Sequence, residues 1–240
     1  MKKILVLSDI HANYPALMAI QNHVQRETFH RIVNTGDFTV YGTYPNEVVQ
    51  WFRERGNAIC IVGNTDKRVL EILTGKELEK PKREEKRIMY FWTCENLLPE
   101  NVRYLNSLPE QQGFTAGGLR IGLFHGDFDG LGNPLWPDSP ESLFREWAAK
   151  FSYQVHVMGH IHVPFHRIVD GVHFLNPGSA GRPFDGDPRS SFAILTVSSG
   201  KITVEHFRIP YSVEEVTSGL KKNGLPDIYG EMYRTGRKLN

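Results

Sequence analysis

The feature that most constrains this chain is a recurrence of short apolar runs that stop abruptly at a Gly, Asp, Asn or His. Residues 4–7, 32–33, 58–62, 119–124 and 155–158 are such runs, each with a length and β-branched content suited to a buried strand. Helical segments separate the first three. Asn13 is placed to cap a helix in which Leu17, Ile20 and Val24 recur at helical spacing, with Pro15 tolerated in its first turn. Pro45 opens another, carrying Val48, Val49 and Phe52, which Gly56 is suited to end. A βαβαβ beginning of this kind implies parallel strands joined by right-handed crossovers.

From Asp66 to about Asn106 the reading turns helical. The charge-dense stretch 80–87 interleaves both signs and reads as a solvated helix start or linker. Ser139-Pro140 starts a helix bearing Leu143, Phe144 and Trp147, and Ser212 with Glu215 forms a capping-box signature. Asp170-Gly171 lies between residues 165–169 and 172–175, and Ser199-Gly200 between 192–197 and 202–207, so both pairs predict hairpins. The passage from parallel units to antiparallel strands predicts two packed sheets with helices outside. No internal repeat or low-complexity tract interrupts the chain.

The 240 residues are expected to form one α/β domain over residues 1–240, with a helical insertion over about 66–106 and a C-terminal tail over about 221–240. The formal net charge of +1 provides no global field for nucleic acid or an anionic membrane. Cys60 and Cys94 form neither a CxxC nor a paired zinc spacing and are expected to stay reduced. The apolar run after Met1-Lys2-Lys3 is too short for a signal-peptide core or a membrane span, which points to the cytoplasm.

The residues just past the strand ends carry the chemistry. Asp9 and His11 come after the first strand, Asp37 after the second, and Asn64 and Asp66 after the third; His125 and the pair His160 and His162 come later. In open α/β sheets ligands bind at the carboxyl ends of strands, so such residues converge on one crevice. Asp9 and His11, like His160 and His162, are two apart, which in extended backbone points each pair to one side. Imidazole, carboxylate and amide oxygen without thiolate suit Mn²⁺, Fe, Zn²⁺, Ni²⁺ or Mg²⁺ rather than a structural zinc finger. Two such ions about 3.5–4 Å apart clamp a phosphoryl group and convert water to hydroxide near neutral pH. That chemistry is phosphoester hydrolysis.

The ordered set Asp9-Ile10-His11, Gly36-Asp37, Gly63-Asn64-Thr65-Asp66, His125-Gly126 and Gly159-His160-Ile161-His162 closely resembles the calcineurin-like metallophosphoesterase superfamily. The resemblance runs from residue 4 to about 195, and Asn176-Pro177-Gly178-Ser179 is similar to a turn of the small bacterial and archaeal phosphodiesterase branch. It implies a four-layer αββα sandwich of two mixed sheets with flanking helices. It further implies two divalent metal ions, one held by Asp9, His11, Asp37 and His162 and the other by Asp37, Asn64, His125 and His160, with Asp37 bridging. A metal-bridging hydroxide would attack phosphorus in line. Many members carry His where this chain has Thr65, which predicts a preference for leaving groups that need little protonation.

Several residues have a plainer reading. Asp66 stands where the following helix wants a cap and is left out of the metal set; His156 lies within an apolar strand and reads as core. Trp136, in the segment 128–137, reads as part of a packed loop plug or as a platform for a nucleobase. Arg182 and Arg189 are candidate phosphate contacts in a turn-rich stretch that equally suits a surface connection, and Thr65 is a candidate substrate contact. The tail, with Lys221, Lys222, Arg234, Arg237 and Lys238, packs on the domain, joins a homo-oligomer or frays. The expected activity is that of a phosphodiesterase or nucleotide pyrophosphohydrolase acting on a small-molecule phosphoester or nucleotide, away from membranes, with nucleic acid disfavoured. The alternatives are a protein phosphatase or nuclease of the same superfamily, and a catalytically weak scaffold or nucleotide sensor.

Overall fold

The apolar run at residues 4–7 lies in strand β1 (Lys2–Leu7), whose alternation sets the layering around it. In the computed structural model, which describes residues 1–126 and 134–240, Ile4 and Val6 face one core while Leu5 and Leu7 face another. Period-two alternation means that a strand buried on both sides must be covered on both. On one side of β1 lie helices. On the other lies a second sheet.

The first sheet has the order β10 (Lys201–Ile209), β9 (Ser190–Ser198), β1, β2 (Arg31–Asn34), β3 (Ala58–Cys60). Strands β1, β2 and β3 are parallel, and β9 and β10 add antiparallel. The second sheet runs β4 (Gln111–Ala116), β5 (Leu119–Phe124), β6 (Val155–Val157), β8 (Val172–Asn176), β7 (Phe165–Val169). Between the sheets, Ile4, Val6 and Val33 pack with Ile121, Leu123, Val155, Val157 and Leu175. Helices α1 (Tyr14–His23), α2 (Pro45–Arg53), α3 (Asn64–Leu73), α4 (Glu84–Asn96) and α5 (Pro99–Ser107) contribute to the core outside the first sheet. Helix α6 (Glu141–Lys150) covers the second sheet with Phe144 and Trp147. The result is the αββα sandwich anticipated from the motifs.

Local chemistry accounts for the main boundaries. Asn13 Oδ1 accepts from the Ala16 amide at the start of α1, and Pro45 opens α2. The Asp170-Gly171 and Ser199-Gly200 turns have positive φ at both residues, as a two-residue hairpin matched to strand twist requires. A third such turn, Gly117-Gly118, joins β4 to β5. Sequence reasoning misses β4 because this edge strand is mostly exposed and has no apolar run. The tail packs on the domain: helix α7 (Val213–Lys222) leads into α8 (Asp227–Thr235), whose Tyr229, Met232 and Tyr233 are buried in the helical core. Among the described residues, no helix is long and apolar enough to cross a membrane.

His156 is core, as expected. Its ring stacks between Phe124 and Phe174 at centroid distances of 5.5 and 4.8 Å, and burial pushes its pKa down to about 4. An unfolded histidine titrates near 6.5, so between the two values the unfolded chain binds the extra proton and stability falls as pH falls. In metal-free protein, moving from pH 7.5 to pH 5 should cost about 2 kcal/mol through this residue. His156→Phe is expected to remove that share of the acid sensitivity, measured as the difference between urea melts of wild type and variant at the two pH values.

Candidate metal centre

Seven side chains named by the motifs meet where the two sheets present their strand ends. Asp9 and His11 lie just past β1, Asp37 past β2, His125 past β5, and His160 and His162 past β6, while Asn64 begins α3. The loops are laced together: the Asp9 and His11 amides donate to the Gly36 and Asp37 carbonyls at 3.0 Å, and Gly159 N–H to His125 O at 2.8 Å. The extended conformation assumed for the two spaced pairs is not what forms. Asp9, His11, Asp37, His160 and His162 all have φ between 51 and 70°, in the left-handed region. For residues with a Cβ this costs on the order of 1–2 kcal/mol each, which the surrounding packing must offset. Close approach also demands glycine: a Cβ on Gly63 would stand 2.1 Å from Asp37 Oδ1.

The ligand-type atoms group around two points. On one side His11 Nε2 lies 3.1 Å from His162 Nε2, and His162 Nε2 lies 3.3 Å from Asp9 Oδ1. On the other, Asn64 Oδ1 lies 2.9 Å from His125 Nε2 and 2.8 Å from His160 Nδ1. Asp37 Oδ2 stands between them, 3.7 Å from His11 Nε2 and 3.5 Å from His125 Nε2. Its Oδ1 accepts the Thr65 amide at 2.9 Å. Asp9, His11 and His162, and separately Asp9, Asp37 and His125, are close enough to share a cation.

Partners behind the site orient these groups. His11 Nδ1 faces Thr39 O at 3.2 Å, His125 Nδ1 faces Thr35 O at 2.7 Å, and His162 Nδ1 faces Arg182 O at 2.5 Å. A carbonyl accepts only, so each Nδ1 carries the proton and each Nε2 lone pair is aimed inward. Asp9 Oδ2 accepts from Ser8 Oγ and the His160 amide, leaving buried Oδ1 without a hydrogen bond. Acceptors facing acceptors in a buried site call for positive charge. The donor set therefore fits divalent cations.

Ionisation obeys the same logic. Burial opposes the charge on Asp37, yet His125, His11 and the Thr65 amide hold its carboxyl well below the usual range. Burial also opposes charge on His125, but in the metal-free chain Asp37 and Asp9 overcome it and raise its pKa to about 10, so the lone pair of its Nε2 is freed for a cation only when a bound metal displaces that proton. Burial pushes His11 down to about 3 against the pull of Asp37.

Asp66 is buried and caps α3 by accepting from Gly63 N–H. The sequence shows that role but not its reach: the same carboxylate accepts from the Phe38 and Thr39 amides and the Thr39 hydroxyl, clamping the Asp37 loop to the helix. The turn at Asn176 acts similarly, with Asn176 Nδ2 donating to Gly159 O and Ser179 Oγ to Asp9 O.

Above the ligands is a cavity of about 140 Å³ lined by His11, Asp37, Asn64, Thr65, His160 and His162, and also by Tyr41, Lys86, Arg182, Phe184 and Lys238. Thr65 Oγ is buried there without a hydrogen-bond partner. Arg182 lines this cavity, whereas Arg189 is exposed, pairs with Asp187 at 2.7 Å and does not line it. Sequence reasoning misses Lys86 and Lys238, because each sits in a charged stretch that reads as solvated surface. Trp136 is exposed rather than packed as a plug, and lines an adjoining hollow of about 290 Å³ with Pro134, His160 and Phe184. Residues 128–133 of that segment lie outside the described residues.

A model of the calcineurin-like phosphoesterase superfamily domain matches residues 1–200, and the chain belongs to that superfamily. It is 31% identical to an uncharacterized protein of Methanocaldococcus jannaschii in an alignment covering 98% of each chain. Among solved structures, a metallophosphoesterase from Sphaerobacter thermophilus superposes with a TM-score of 0.77 at 26% identity, covering 98% of this chain and 99% of that one. A hypothetical protein from Pyrococcus horikoshii superposes with a TM-score of 0.86 at 22% identity, covering 99% and 100%, and shares the fold.

Asp66→Ala would orphan four buried donors at once. The expected loss is about 3 kcal/mol or more in urea denaturation of the metal-free protein, since each buried unsatisfied group costs roughly 1–3 kcal/mol.

Proposed function

We propose that this protein is a dinuclear-metal phosphohydrolase that cleaves a small phosphodiester or a nucleotide phosphoanhydride. Asp9, His11, Asp37 and His162 would hold one cation, and Asp37, Asn64, His125 and His160 the other. The observation that carries the reading is the position of Asp37 Oδ2, within 4 Å of an inward-facing nitrogen from each group while Oδ1 is tied to the Thr65 amide. Divalent cations bound here supply polarisation of the phosphoryl oxygens and acidification of water; Mn²⁺, Fe, Ni²⁺, Zn²⁺ and Mg²⁺ all suit the donors.

The chain's own groups shape the rest. The Thr65 hydroxyl is free to donate a hydrogen bond to a phosphoryl or leaving-group oxygen but does not deliver a proton as an imidazolium would. Leaving groups that depart as stable anions, such as aryl oxides and phosphates, are therefore favoured. Tyr41 and Phe184 contribute aromatic walls to the cavity. Its size suits a small molecule, and the near-zero net charge disfavours extended nucleic acid. The free thiols of Cys60 and Cys94 are in keeping with a cytoplasmic site of action.

Metal-free protein supplied separately with Mn²⁺, Ni²⁺, Mg²⁺ or Zn²⁺ is expected to hydrolyse bis-p-nitrophenyl phosphate and diadenosine tetraphosphate. Two cations bound at full occupancy without turnover on these or on p-nitrophenyl phosphate would favour the scaffold or sensor alternative. Asp37→Ala should lower activity by more than about 10²-fold, because losing even an outer partner of a metal ligand costs roughly 10–100-fold. Circular dichroism checks that the variant remains folded. Aryl diesters should turn over at least about 10²-fold faster than unactivated alkyl monoesters, in line with the loss of general-acid help; equal kcat/KM values would count against the role given to Thr65.

A further inference from the structure

Three cations from distant parts of the chain line the same cavity as the metal-type ligands: Lys86 from α4, Arg182 from the loop before β9, and Lys238 beyond α8. Arg182 is only 5% exposed, and its guanidinium lies 4.0 Å over the ring of Tyr41, 5.0 Å from Phe184 and 5.3 Å from Tyr229. Its Nε has no hydrogen-bond partner, and among the described residues no carboxylate pairs with Arg182, Lys86 or Lys238. Aromatic faces offset part of the cost of burying a guanidinium, roughly 0.5–2 kcal/mol per contact, but do not neutralise it. Lys86 is held below its usual pKa by burial and then by repulsion from Lys238 and Arg182. The placement is held by structure. Gly186 N–H donates to Gly236 O at 2.9 Å, and Asn240 reaches Glu85, so the segment bearing Lys238 is fastened over the site beside α4.

We infer that Lys86, Arg182 and Lys238 form a second anion subsite, which selects substrates carrying a further phosphate group linked to the phosphorus that is attacked. The inference rests on the phosphohydrolase reading and narrows it to phosphoanhydrides. Asp9 and Asp37 supply two negative charges against two divalent cations, so a singly charged diester leaves the cationic cluster largely uncompensated. An adjoining phosphate places its oxygens where three charge-assisted contacts are available. The cluster then stabilises a departing phosphate as well, which suits a site lacking an imidazolium proton donor.

The test uses the full-length protein loaded with Mn²⁺, titrated calorimetrically with methylenediphosphonate and with methylphosphonate. The diphosphonate should bind at least about tenfold more tightly. In the Lys86→Met/Lys238→Met double variant that ratio should fall below about threefold, while Lys86→Arg/Lys238→Arg retains it. A wild-type ratio near one, or a ratio unchanged in the methionine variant, overturns the inference. Thermal melts establish that the variants are folded; if the double variant is not, Lys238→Met alone, at an exposed position, must lower the ratio. The same preparations are assayed with diadenosine tetraphosphate and bis-p-nitrophenyl phosphate. Failure of wild type to cleave either counts against the phosphohydrolase, whereas turnover without a diphosphonate preference counts against the subsite alone.

Discussion

The carboxylate of Asp37 is the constraint on which the site depends. One oxygen is fixed by the Thr65 amide and the other faces His11 and His125 from opposite groups. Holding one buried carboxylate in two sets of contacts requires the β2 loop to turn sharply and lie against the start of α3. Hence the left-handed backbone at Asp37, the bare Cα of Gly63 and the four-donor clamp of Asp66. Strain in the loop and hydrogen bonding behind it are two sides of one arrangement: the backbone is over-determined so that the acceptors remain in place.

The fold supplies the position of these loops. Parallel strands β1, β2 and β3 end on the same edge of their sheet, and β5 and β6 end on the same edge of the other. Packing the two sheets through Ile4, Val6, Ile121 and Val155 brings those edges together. A polar residue just past a strand end leaves the apolar layer at the point where the strand's hydrogen bonds run out. Interior packing and site chemistry thus meet without competing for the same residues.

The candidate ligands are legible in the sequence because metal-type side chains repeat after strand ends beside glycines, a pattern that survives in one dimension. His156 is legible for the opposite reason, since it lies inside an apolar strand between hydrophobic neighbours. Less accessible are features defined by what sits across space. Lys86 is one charge among many in residues 80–87, and Lys238 is one basic residue in a tail, yet both line the cavity. Asp66 reads as a helix cap, and its hold on the Asp37 loop depends on two segments 28 residues apart. Strand β4 escapes because an exposed edge strand needs no apolar periodicity.

By itself the sequence determined the alternation of strands and helices, the two glycine-containing hairpins of the second half and which metal-type side chains stand just past the strand ends. These come from local rules: apolar period, turn chemistry and residue type. Only the tertiary structure decided which nitrogen of each histidine faces inward, that the ligand loops are left-handed rather than extended, and that Lys238 of the tail lines the site. Those outcomes depend on partners supplied by other elements: the Thr39, Thr35 and Arg182 carbonyls, the Asp66 clamp and the contacts that fasten residues 236–240. Side-chain direction and charge proximity are properties of the packed whole, whereas periodicity belongs to the chain.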